Sequence, residues 1–232
     1  MLNLSLSCSS FVLIFVLMFF VSFHEYYFPA FSVDNNTSMK TTINGNSSNT
    51  ISVNETNKWI ETIRSGNTPF SVAVNPETNK VYVTNDFENT ISVIDGSNTV
   101  ISTIPVGKWA HSVAVNPQTN MVYVSNFNDN TISVNSGATG TGITTIQVGR
   151  EPIGVAVNPQ TNMVYVTNTF DNTISVIDGS TNTVSTIIQV GHGPFAVAVT
   201  PQTNMVYVTN SFDDTISVID GSTNTVSTTI AV

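Results

Sequence analysis

The sequence predicts an all-β fold, a β-propeller assembled from four-stranded blades, and three observations carry the prediction. One phrase is written four times: "NPETNKVYVTN" at 75–85, "NPQTNMVYVSN" at 116–126, "NPQTNMVYVTN" at 158–168 and "TPQTNMVYVTN" at 200–210. Its prolines, Pro76, Pro117, Pro159 and Pro201, stand 41, 42 and 42 residues apart, and a fixed period of this size marks repetition of one supersecondary unit. Each period also divides into four short runs rich in the β-branched residues that favour strands, separated by turn residues. Finally, "MVYV" and "ISVI" are continuously apolar, as strands covered on both faces are. A unit near 42 residues made of four strands is a propeller blade.

Taken from the N-terminus, the first element is the thirteen-residue apolar run "FVLIFVLMFFVSF" at 11–23, broken by His24 and Glu25. It is short of the roughly 20 residues a membrane span needs and fits the apolar region of a signal peptide. Residues 1–32 are therefore expected to be that signal, with Ala30 and Ser32 as the small residues ahead of cleavage. An uncleaved anchor, extended by "YYFPAF" at 26–31, is the alternative, and membrane contact is expected through this segment alone. Cys8, the only cysteine, precedes the run, so the mature chain is expected to hold no thiol. Residues 33–48 read as a polar linker. The sequons at Asn35, Asn36, Asn46 and Asn54 crowd in and beside it, either as a glycosylated stalk or as a product of Asn/Thr-rich composition.

Repeats are expected over 49–232: a half blade at 49–66, then blades at 67–107, 108–149, 150–191 and 192–232. The half blade is read from "NTISVNETNKWIETIRSG", which aligns with the third and fourth runs of the next unit, "NTISVIDGSNTVISTIPVG" at 89–107. In the third full unit the strands are "IGVAV" (153–157), "MVYVTN" (163–168), "TISVID" (173–178) and "TVSTIIQV" (183–190). Asn-Pro-Gln-Thr-Asn and Asp178-Gly179 supply the turn chemistry between them. Ala73, Ala114, Ala156 and Ala198 sit mid-way along the first run, where blades converge and room is least.

At these residues the chain resembles the YVTN β-propeller repeat family, through Tyr82–Asn85, Tyr165–Asn168 and Tyr207–Asn210, with YVSN at Tyr123–Asn126, and through the "VAVNP" and "TISVIDG" runs. The resemblance covers about residues 49–232. It implies a seven-bladed propeller of the surface-layer type on an exported protein of archaea or bacteria, without an assigned reaction. Propellers with similar blades include lactonases and the haem-binding propeller of nitrite reductase. The tetrapeptide is structural, so no catalytic residue is carried over from it. With 4.5 units, the chain is expected to be a partial arc of that ring and a truncated frame or fragment, a four- or five-bladed ring being the alternative. Open blade faces would then favour self-association.

Six Lys+Arg against fifteen Asp+Glu give a net charge of −9, and no Lys or Arg follows Arg150. Phosphate backbones need cations, so nucleic acid is excluded as a partner. The loops from fourth to first strand carry "SGNTPF", "VGKWAH", "VGREPI" and "VGHGPF", placing Asn67, Lys108, Arg150 and His192 at one equivalent position. The loops from second to third strand carry "NDFEN", "NFNDN", "NTFDN" and "NSFDD", with Asp86, Glu88, Asp129, Asp171, Asp213 and Asp214. Both sets belong on one face, and loops on a rigid scaffold carry binding. The candidate ligand-binding residues are thus Asn67, Lys108, Arg150, His192, Asp86, Asp129, Asp171 and Asp213. The alternatives are solvated ion pairs for the bases and turn-forming Asx residues for the acids. No D-x-D-x-D-G spacing for Ca²⁺ appears, and neither a metal nor a cofactor is expected. His111 aligns with Phe70, Ile153 and Phe195, as a packed substitute for an apolar residue. Trp59 and Trp109 depart from the repeat, as surface anchors or core filling. The function expected is that of a non-enzymatic, exported cell-surface scaffold binding a protein or glycan of the cell envelope. A lactonase-like or redox propeller enzyme and a gene fragment without independent function are the alternatives.

Overall fold

The computed structural model describes residues 50–52 and 62–232 and divides into two compact units, Met1–Arg64 and Ser65–Val232. In the first unit, β1 (Thr50–Ser52) and β2 (Thr62–Arg64) pair antiparallel, Ile51 opposite Ile63. They fall where the half blade is expected. The signal segment, the linker and Trp59 lie outside the described residues, which contain no helix.

The second unit is four antiparallel four-stranded sheets, each in sequence order. The first comprises β3 (Pro69–Asn75), β4 (Lys80–Asn85), β5 (Thr90–Ile94) and β6 (Val100–Pro105). The second comprises β7 (Ala110–Asn116), β8 (Met121–Asn126), β9 (Thr131–Ser136) and β10 (Thr141–Gln147). The third runs β11 (Pro152–Asn158), β12 (Met163–Asn168), β13 (Thr173–Asp178) and β14 (Thr183–Gln189). The fourth runs β15 (Pro194–Thr200), β16 (Met205–Asn210), β17 (Thr215–Asp220) and β18 (Thr225–Ala231). The first strands β3, β7, β11 and β15 pack on one another in that order, whereas the fourth strands meet only marginally. Sheets close on one side and splayed on the other are propeller blades.

The repeated tetrapeptide assigns one task to each side chain. Tyr82, Tyr123 and Tyr165 are fully buried between their own blade and the next, in clusters such as Tyr165 with Ile174, Val176, Val206, Val208 and Ile219. The valines on either side of the tyrosine face the other way, Val164 and Val166 packing with Tyr123 of the preceding blade and Val122 and Val124 with Tyr82. The hydroxyl that follows faces two blades. Thr84 Oγ1 accepts the Ser71 N–H at 2.9 Å within its blade and donates to the His111 carbonyl of the next at 2.8 Å. Ser125 donates likewise to Ile153 O at 2.7 Å and Thr167 to Phe195 O at 3.0 Å. The asparagine ties its own blade through its N–H groups, Asn168 Nδ2 donating to Thr173 Oγ1 and Ser175 Oγ at 3.0 and 2.9 Å, while Asn168 Oδ1 accepts the Gly149 N–H at the end of the preceding blade at 3.1 Å. Burying these amides without partners would cost about 1–3 kcal/mol each, so the motif's polar half is as constrained as its apolar half.

Neighbouring blades also meet at the "NPxTN" turns. Asn75, Asn116 and Asn158 donate through Nδ2 to Oδ1 of Asn120, Asn162 and Asn204 one blade on, at 2.7–2.8 Å. The receiving asparagines have φ of 54° to 56°, a left-handed conformation that asparagine tolerates better than most residues. Beside them the turn glycines are sterically required. A β-carbon on Gly179 would lie 2.7 Å from Asn162 Oδ1 and 2.8 Å from the Tyr123 hydroxyl, whereas one on Gly96 would meet nothing closer than 3.6 Å. Gly179→Ala is therefore expected to cost about 1–3 kcal/mol and Gly96→Ala close to nothing, as read from urea midpoints.

Candidate functional site

The face built by the fourth-to-first and second-to-third loops is held by backbone donors and side-chain acceptors. Lys108, Arg150 and His192 each present their N–H to the carboxylate of their own blade, Asp129, Asp171 and Asp213, at 2.7–2.8 Å. The next residue along, Trp109, Glu151 or Gly193, sends its N–H to Asn89, Asn130 or Asn172 of the preceding blade, at 2.9 Å in each case. Every such loop is clamped by two blades. The clamp holds Trp109 and Glu151 at φ of 58° and 54°, a conformation uncommon for bulky residues and maintained where surrounding structure over-determines it.

Side-chain pairing follows the same register. Arg150 Nε lies 2.6 Å from Asp171 Oδ1, and its guanidinium carbon sits 4.1 Å above the Phe170 ring. His192 Nδ1 lies 2.8 Å from Asp213 Oδ1. The Arg150 N–H, and after it the guanidinium, hold the Asp171 carboxyl below the usual carboxylate range, and the His192 N–H and imidazole do the same for Asp213. Exposed pairs of this kind contribute little to stability. Their role is to fix loop geometry, and both oxygens of Asp171 and Asp213 are thereby engaged.

The predicted acids do not form one set. Asp129, Asp171 and Asp213 are equivalent, but the first blade places Glu88 at that position. Asp86 falls two residues earlier, level with Phe127, Thr169 and Ser211. It sends its N–H to Thr68 O, and burial raises its carboxyl. Asn67 is exposed at the position equivalent to Lys108. Acid-by-acid reading overlooked the rings between these carboxylates. Phe87, Phe170 and Phe212 are 65%, 56% and 76% exposed, and Trp109 is 40% exposed. A phenylalanine recurring within "DFEN", "TFDN" and "SFDD" was the available signal.

Trp109 belongs to an aromatic group at the junction of the first two blades. It stacks on Phe127 with centroids 5.8 Å apart and meets Phe87 edge-on at 6.2 Å. His111 packs edge-on to Phe70 at 4.5 Å and to Phe127 at 4.9 Å, and burial pulls its imidazole down to about 4. It therefore sits as a neutral ring in an apolar setting. Among the described residues, no group of three His, Cys, Asp or Glu is placed to hold a metal ion.

Residues 156–232 match the family described as the YNCE-like beta-propeller. The chain is a β-propeller repeat protein. No curated protein sequence matches it. Among solved structures, the propeller is similar to a chain titled hydrazine synthase, from Kuenenia stuttgartiensis, with a TM-score of 0.67 and 22% identity over 71% of this chain and 49% of that one. It thus spans about half the length of that solved chain. Fold likeness of this kind extends to 1319 solved chains, so it speaks for the propeller architecture and leaves function to the site.

Proposed function

We propose that this propeller is a non-enzymatic, exported cell-surface scaffold of the YVTN type that binds a protein or glycan of the cell envelope through its loop face. The observation that supports this reading is the set of protruding rings, Phe87, Trp109, Phe170 and Phe212, on a face whose loops are hydrogen-bonded to one another within and between blades. Rigid aromatic side chains lose little entropy on binding and stack on apolar or sugar surfaces, which is why they anchor recognition surfaces. The paired ions between them set spacing, while the strongly acidic composition keeps nucleic acid away.

The test is binding of the purified chain to isolated cell envelopes of its source organism. The triple variant Phe87→Ala, Phe170→Ala, Phe212→Ala is expected to bind at least about tenfold more weakly, or 1.4 kcal/mol, with an unchanged melting temperature because all three rings are exposed. Equal binding by the triple variant would remove the loop face from consideration.

A further inference from the structure

Three blades carry the same cross-strand pair between their third and fourth strands: Ile94 opposite Val100, Ile177 opposite Val184 and Ile219 opposite Val226. The second blade breaks the pattern on both sides at once, with Asn135 opposite Gly142. Ile177 and Ile219 pack under Tyr123 and Tyr165 in the cores between blades, and Asn135 takes the corresponding place at the junction of the first two. It is 1% exposed, yet neither its Oδ1 nor its Nδ2 has a hydrogen-bonding partner. Among the described residues it is the one side chain with two buried polar atoms in that condition. The other cases are largely repeat positions, such as the tyrosine hydroxyls and the Oδ1 of the tetrapeptide asparagines, and so belong to the architecture.

Asn135 and Gly142 both line a groove that runs between the end of β6 and the β9–β10 hairpin. With no side chain on Gly142, Asn135 Oδ1 borders an empty space there, 3.6 Å from where a β-carbon on Gly142 would stand. Ser133, Thr144 and Thr145 line its sides, Ile143 offers an exposed apolar wall, and Asp129 stands at the rim. The equivalent groove of the fourth blade has Val226 where Gly142 would be and does not include Ile219, and its one carboxamide, Gln189, is already partnered, donating to Asn172 O at 2.8 Å.

We propose that this groove binds a neutral saccharide, one sugar ring seated with adjacent hydroxyls on the Asn135 amide. A carboxamide offers a donor and an acceptor side by side, and vicinal hydroxyls, each able to donate and accept, complement both. Buried polar groups are normally partnered, so an amide left unpaired in one blade only calls for such a ligand. An anion finds no Lys or Arg in the lining and meets Asp129. An apolar ligand would leave the amide unpaired. The site is separate from the aromatic loop face and does not depend on that face being a binding surface.

The chain is to be titrated with neutral mono- to tetrasaccharides of glucose, mannose and N-acetylglucosamine, and with a neutral glycine peptide as control, using saturation-transfer NMR and calorimetry. At least one saccharide is expected to bind saturably. Asn135→Ile with Gly142→Val, which restores the repeat, is expected to weaken that binding at least tenfold and to raise the melting temperature. Gly142→Val alone, which narrows the groove and leaves the amide in place, is expected to weaken it too and covers the case in which the double variant fails to fold. No saturable saccharide binding, meaning a trapped water only, overturns the proposal. So do binding of the peptide alone and unchanged affinity in both groove variants.

Discussion

Tyr165→Ala is expected to lower stability by about 3–5 kcal/mol and Tyr207→Ala by less than about 1 kcal/mol, although the two residues hold the same place in the same phrase. Tyr165 is fully buried, packed on Val206, Val208 and Ile219 of the following blade, and truncating it leaves a cavity lined by residues of two blades. Tyr207 is 40% exposed, so its ring is already partly in water and truncation opens no sealed space. Stability in a repeat array is close to a sum of unit terms and nearest-neighbour interfaces, and this pair separates the two. Urea midpoints with m-values, on both variants and the parent, decide it. Equal losses would place the tyrosine's worth inside its own blade.

The same contrast shows what was legible in the sequence. Period, strand type and turn chemistry follow from local residues, and β12, β13 and β14 begin and end within one residue of the runs expected from "MVYVTN", "TISVID" and "TVSTIIQV". The division of labour inside the tetrapeptide was not legible. The partners of Thr167 lie at Gly154 in its own blade and Phe195 in the next, and a repeat pattern does not distinguish the two directions. On the loop face, the equivalence of Lys108, Arg150 and His192 was readable by alignment. That their backbone N–H groups, more than their charges, bind Asp129, Asp171 and Asp213 was not. Residue type groups Asp86 with those acids, while spacing from the preceding asparagine assigns the place to Glu88. The Asn135 and Gly142 departures stand in the sequence as well. They acquire meaning only through the register that sets them opposite each other across a strand pair with a bulge beyond it.

His111→Phe is expected to remove a loss of stability of about 3 kcal/mol that the parent suffers on acidification from pH 6.5 to pH 4. The folded imidazole titrates at about 4 because burial against Phe70 and Phe127 disfavours its cation, whereas in the unfolded chain it titrates near 6.5. Above 6.5 both states are neutral and the group has no pH-dependent effect. Between the two values the unfolded chain binds a proton that the folded one refuses, so stability falls as pH falls, by about 1.4 kcal/mol for each unit separating the two pKa values. Phenylalanine occupies the equivalent position in the first and fourth blades, as Phe70 and Phe195, so the substitution is expected to be close to neutral at pH 7.5. Asp86 acts in the opposite sense. Its folded carboxyl is raised by burial, so its contribution grows as pH drops, equally in parent and variant. Asp171 and Asp213, whose carboxyls are lowered by their loop donors, withdraw stability at the acid end in both proteins. The difference between the two proteins at pH 7.5, 5.5 and 4 therefore isolates His111. Parallel curves would show that the imidazole reaches water in the folded state and that the aromatic group at this junction is looser than its ring contacts indicate.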